Sequence, residues 1–98
     1  MANEYKGHYL YNMKSVHMSA SEKLGVYFCG VIKSHKLTPY YIGKTIGDTV
    51  SIRYRLAHHL INGDWEGITH FGYIVCSTQQ EIDFLAASEI EKHKPKYN

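Results

Sequence analysis

The 98-residue sequence predicts a small α/β sandwich: a three-stranded, mostly antiparallel sheet flanked by helices, in the order β-β-α-β-α. Three observations predict it. First, Gly25 to Val31 (GVYFCGV) and Tyr40 to Gly43 are rich in β-formers and lie at hairpin distance. Second, Ile52, Leu56 and Leu60 recur at i, i+4, i+8, the stripe of an amphipathic helix. Third, Ile82, Leu85, Ala86 and Ile90 share one helical face just before Pro95, which cannot continue a helix.

Each element has a local reason. Residues 1–24 read as an extension in which Tyr5, Lys6, His8, Tyr9, Tyr11, Lys14 and His17 interleave aromatic and basic groups without a clear period. Two readings stand for it, an arm that touches nucleic acid or a strand or helix packed on the core. Residues 25–98 form the domain proper. Ser34 to Pro39 is a polar turn between the hairpin strands, with Pro39 placed where its missing donor is tolerated. Gly47-Asp48-Thr49 supplies a breaker and N-cap for a helix over about Val50 to Ile61, and Asn62-Gly63 ends it. Ile68 to Ser77 alternates as a third strand. Thr78 and Glu81 fit a capping box that opens a helix running to about His93.

Composition narrows the function classes. Hydrophobic content of 44% is ordinary for a globular domain, and no apolar run approaches the roughly 18 residues of a membrane span. The N-terminus carries charges and tyrosines where a secretory signal needs an apolar stretch, so a cytoplasmic protein is expected. Cys29 and Cys76 lack CxxC spacing and fall in strand-like runs, which favours buried thiols over a zinc site. A net charge of +2 is compatible with nucleic-acid binding without demanding it.

Arg55 and His59 lie together along one border of the first helix's apolar stripe, at about 100° per residue. Alone, such a pair is a snorkelling arginine and a boundary histidine. With Tyr27 and Tyr41 upstream it is also a set suited to phosphodiester hydrolysis. Arginine can grip phosphate oxygens through the whole reaction. Histidine can accept or orient a tyrosine proton, and tyrosine is a poor base unless a cation stabilises its phenolate. A carboxylate is still required if a hard cation such as Mg²⁺ is to bind.

The ordered set of Gly25-Val26-Tyr27, Tyr41-Ile42-Gly43, Arg55 with His59, and Pro95-Lys96-Tyr97-Asn98 resembles the GIY-YIG nuclease family over Gly25 to Asn98. The resemblance implies a divalent-metal-dependent DNA endonuclease using Mg²⁺ or Mn²⁺. It makes Tyr27 the general base and sets Tyr41 beside it near the scissile phosphate. Gly43 becomes the close backbone turn, Lys44 a phosphate contact, Arg55 and His59 the helix pair, and Asn98 a bracing residue. Arg55 matches the family arginine rather than Arg53, because only Arg55 has a histidine four residues on. His58 is then a solvated neighbour.

The family's metal-binding glutamate falls at Ala86, counted back from Asn98 and matched through Ile90. Three readings follow. Ala86 replaces a native glutamate, or Glu89 one turn later has become the ligand, or the domain binds nucleic acid without cutting. Glu89 lies in the apolar stripe and needs a partner there, whereas Glu81 and Glu91 point away. The main expectation is a nuclease inactivated at its metal-ligand position. The alternative is a non-catalytic nucleic-acid-binding module on the same fold, and the blandest is a protein-interaction domain. With the sequence ending on a motif residue, specificity is expected from the N-terminal arm, a partner or a homodimer; truncation from a longer nuclease is the other expectation.

Overall fold

The computed structural model of the chain describes residues 4–47 and 50–98. Its order is β1 (Tyr5–Leu10), α1 (Met13–Ser19), β2 (Gly25–Lys33), β3 (Lys36–Lys44), α2 (Ile52–Asn62), β4 (His70–Val75) and α3 (Gln79–His93). The strands form one sheet in the order β1-β4-β2-β3, with every pair antiparallel. The small α/β domain and the hairpin of β2 with β3 are as expected.

The sheet has four strands where the sequence reading counted three. The added strand comes from the N-terminal extension, which also supplies α1. Of the two readings of residues 1–24, a strand and a helix packed on the core are what forms, and the sequence did not delimit them, for physical reasons. The edge strand β1 is exposed along nearly its whole length, and its register slips between Lys6 and Tyr9, so no alternation survives. The helix α1 has seven residues and buries only Val16, too little for a 3.6-residue stripe. Its start is local, with the Asn12 side chain accepting from the Ser15 backbone N–H at 2.8 Å.

Two boundaries also move. The second hairpin strand begins at Lys36 rather than Tyr40, because the turn is only Ser34-His35, with φ of 51° and 67°. That is the twist-matched two-residue connection of a β-hairpin. Pro39 therefore lies inside β3, on a sheet edge and beside a bulge between Cys29 and Gly30 of β2, where its missing N–H costs no ladder bond. The first long helix starts at Ile52, capped by Ser51 accepting from the Tyr54 N–H at 3.1 Å. The expected cap at Asp48-Thr49 lies outside the described residues. For α3, Thr78 caps the Glu81 N–H as expected, but the Glu81 carboxylate reaches back to the Ser77 N–H rather than closing the box on Thr78.

Helices cover both faces of the sheet, and β2 is buried on both sides. Tyr27 and Cys29 pack with Val16, Ile52, Leu56 and Phe71 under α1 and α2. Val26 and Phe28 pack with Ile42, Ile82 and Ala86 under α3. The two cysteines are buried thiols on opposite faces. No helix among the described residues is long and apolar enough to cross a membrane.

Candidate functional site

The hairpin register sets the first distances. Tyr27 stands opposite Gly43, and Cys29 opposite Tyr41. The Tyr27 ring lies across Gly43 so closely that a Cβ at residue 43 would fall among Cζ, Oη and Cε2 of the phenol. Gly43 is required for space rather than for a left-handed backbone. Behind it, Thr45 closes the open end of the hairpin, its Oγ1 accepting from the Gly25 N–H at 3.1 Å.

Tyr27 is fully buried, and its hydroxyl meets His59 Nε2 of α2 at 2.9 Å. On the other side of that imidazole, Nδ1 lies 2.7 Å from Asp64 Oδ2. An ionised carboxylate only accepts, so Nδ1 carries the proton and the bare Nε2 accepts from the Tyr27 O–H. Burial holds His59 below its usual pKa despite the upward pull of Asp64, so the ring is neutral near pH 7. Burial likewise pushes the Tyr27 phenol up, with the adjacent Arg55 guanidinium opposing it. Trp65 roofs the group, with ring centroids 4.4 Å from His59 and 4.5 Å from Tyr41.

In front of these residues, a groove of about 370 Å³ runs between the β3 edge and α3. Tyr41, Gly43, Lys44, Arg55, Ala86 and Asn98 all line it. Six of the nine residues singled out from the sequence thus meet in one concavity, although they come from β3, α2, α3 and the C-terminal segment. Tyr27 and His59 do not line it and stand in the core beside Arg55 and Tyr41. Arg55 Nε is buried without a hydrogen-bond partner among the described residues, and the guanidinium stands beside the Tyr27 phenol.

Asn98 braces the rim. Its Oδ1 accepts from the Ile42 N–H at 2.8 Å and its Nδ2 donates to the Ile42 carbonyl at 2.9 Å. One side-chain amide therefore stands in for a neighbouring strand on the β3 edge. The Tyr97 N–H adds a bond to the Tyr40 carbonyl at 2.8 Å.

Glu89 is not brought to this groove. It lines a separate one of about 300 Å³ with Tyr5, Phe28 and Leu37, and its Oε1 lies 3.2 Å from His93 Nε2. The cause is helical rotation: Ala86 and Ile90 face the β3 edge, while residues 89 and 93 turn toward the open part of the sheet. The partner that a carboxylate in this stripe requires is His93. His58, by contrast, is solvent-exposed and stacks on Tyr54.

The side chains present do not suit Mg²⁺ or Mn²⁺. Among the described residues no three His, Cys, Asp or Glu converge as ligands. The groove does contain a carboxylate, Asp83, one turn before Ala86. Its Oδ1 accepts from Gln79 Nε2 and from Lys44 Nζ, each at 2.9 Å, and those two donors hold it below the usual carboxylate range. A hard cation wants several oxygens, and here a lysine occupies the nearest one.

Asp64, Trp65, Asp83 and Thr45 went unread in the sequence. Asp64 had a signal: it follows the helix-ending Asn62-Gly63 and lies five residues after His59. Gly63 adopts φ 63°, ψ 43°, and this left-handed turn folds the chain back so that Asp64 reaches His59. Compared with protein-family models, with curated proteins and with solved structures, the chain shows no match.

Proposed function

We propose that this chain is a DNA phosphodiesterase domain of the GIY-YIG type whose metal-ligand position holds alanine, so that as it stands it grips DNA without cutting it. One observation carries the reading. Residues that the family resemblance picks out, separated by up to 57 positions, line a single groove. Arg55 and Lys44 supply its cationic groups, with Lys44 shared with the Asp83 carboxylate. Tyr41 is the phenol exposed to the groove. Tyr27 works from behind, holding His59 and sharing the field of Arg55. The alanine at 86 accounts for the poor fit to a divalent cation.

The test is Ala86→Glu, with Ala86→Gln as the uncharged control of equal size. Ala86 lines the groove but is also buried against the core under α3, which is why folding is checked and the equal-sized glutamine is the control. Purified proteins, checked for folding by circular dichroism, are assayed on single-stranded, duplex and branched DNA with and without Mg²⁺ or Mn²⁺. The glutamate variant is expected to cut only with metal, on the order of 10² or more above the native chain. No cleavage by a folded glutamate variant refutes an inactivated nuclease. Binding that persists in chelator and falls steeply with salt would then leave the nucleic-acid-binding module.

A further inference from the structure

We infer that Asp64 is a positioning residue of this site, fixing His59 in the tautomer that can take the proton of Tyr27. Its catalytic meaning rests on the function proposed above, whereas the tautomer itself does not. The geometry is a continuous chain from Tyr27 Oη to His59 Nε2 at 2.9 Å, then from His59 Nδ1 to Asp64 Oδ2 at 2.7 Å. An imidazole between a phenol and a carboxylate has one arrangement that satisfies both neighbours, with the proton on Nδ1.

Local electrostatics argue against a merely structural aspartate. Asp64 lies just past the C-terminus of α2, where the helix dipole disfavours negative charge and a lysine or asparagine would be more stable. A carboxylate there opposes the helix and serves His59. The loop is built to hold it: Gly63 turns the chain back, the Asp64 N–H returns to the His59 carbonyl at 3.3 Å, and Trp65 packs on the imidazole ring. From the N-terminal side, the Tyr11 hydroxyl is buried without a partner among the described residues and feels the Asp64 charge, while its ring lies 6.4 Å from that of Trp65.

At rest the proton stays on Tyr27, because burial raises the phenol and depresses the imidazole. Its transfer breaks the Tyr27 O–H bond and forms an N–H bond at His59 Nε2, and it depends on the Arg55 charge that opposes the burial of the phenolate. The imidazolium keeps its Nδ1 proton against the Asp64 carboxylate, which takes none. The groups facing His59 are Tyr27 from β2, Tyr41 from β3, Arg55 and His58 from α2, and Asp64 with Trp65 from the loop.

Nitrogen-15 imidazole spectra of the intact chain test this directly. His59 should show a protonated Nδ1 and a bare Nε2. Asp64→Ala should abolish that preference and lower the His59 titration midpoint, because the carboxylate is what raises it. Asp64→Asn should keep the Nδ1 proton, since its amide oxygen still accepts, while losing the charge and lowering the midpoint. In an Ala86→Glu background, Asp64→Ala should reduce kcat about 10–100-fold with KM within about twofold, and Asp64→Asn should recover part of the loss. A bare Nδ1 in the native chain, or an unchanged tautomer and midpoint in folded Asp64→Ala, overturns the inference. Equal kcat for the Asp64 and Asp64→Ala proteins overturns its catalytic part. Correct tautomers together with no cleavage by any Ala86→Glu protein would instead fault the proposed function and leave the positioning of His59 standing.

Discussion

Replacing Gly43 by alanine should damage the site through a single contact, the Tyr27 ring. The added Cβ would overlap the phenol, and the ring cannot slide away freely because it is fully buried and tied to His59. Forcing a methyl group into a close-packed position costs about 1–3 kcal/mol. If Tyr27 moves to relieve it, the buried bond to His59 is lost, for about 1–3 kcal/mol more. The total of about 2–6 kcal/mol is a large share of the roughly 5–15 kcal/mol that holds a domain of this size. At a urea m value of about 1.5 kcal/mol/M, the unfolding midpoint should fall by about 1.3–4 M. The chain has one tryptophan, and Trp65 packs on Tyr41 and His59, so its fluorescence reports unfolding at the site itself. The same substitution in a Tyr27→Leu background separates the ring clash from any backbone effect. There, alanine at 43 should cost less than about 1 kcal/mol, leaving a coupling energy above about 1 kcal/mol. A Gly43→Ala protein within 1 kcal/mol of the native chain, or an equal cost in both backgrounds, refutes the reasoning.

Two further outcomes follow from the geometry. Because burial depresses the folded pKa of His59 below the ordinary imidazole value of 6.5, the unfolded chain binds that proton more readily. The contribution to stability is complete above pH 6.5 and is lost as the pH falls through 6.5 toward the folded value. Urea midpoints at pH 7.5 and 5.0 should therefore differ more in the native chain than in His59→Gln, and equal differences would contradict the burial argument. Asn98→Ala should remove both side-chain bonds to Ile42, costing about 1–3 kcal/mol and speeding hydrogen exchange at the Ile42 amide. Unchanged exchange at that amide would mean that the β3 edge is protected by something other than the C-terminal asparagine.

Much of the sheet core was legible because β2, the β3 half near Gly43, α2 and α3 bury apolar residues at regular spacing. β1 and α1 were not, since an exposed edge strand and a helix with one buried residue leave no period to read. The site divides in the same way. Tyr41 and Arg55 could be selected from residue type and order, and Gly43, Lys44, Ala86 and Asn98 only through the family resemblance; the groove gathers all six. Glu89 could not be told from Ala86 by helical stripe alone, because only the placement of α3 against β3 decides which side of that stripe meets the groove.

The amino-acid sequence by itself determined the central hairpin, the two longer helices and the residue types available for phosphate chemistry, since these depend on local propensity, periodicity and spacing. Tertiary structure alone decided that Tyr27 is buried rather than exposed to the groove, that Lys44 is held by Asp83, and that Asp64 stands behind His59. Those facts depend on how close separate segments come in space. A left-handed glycine and a helix rotation of a fraction of a turn settle them, and neither leaves a repeating signal along the chain.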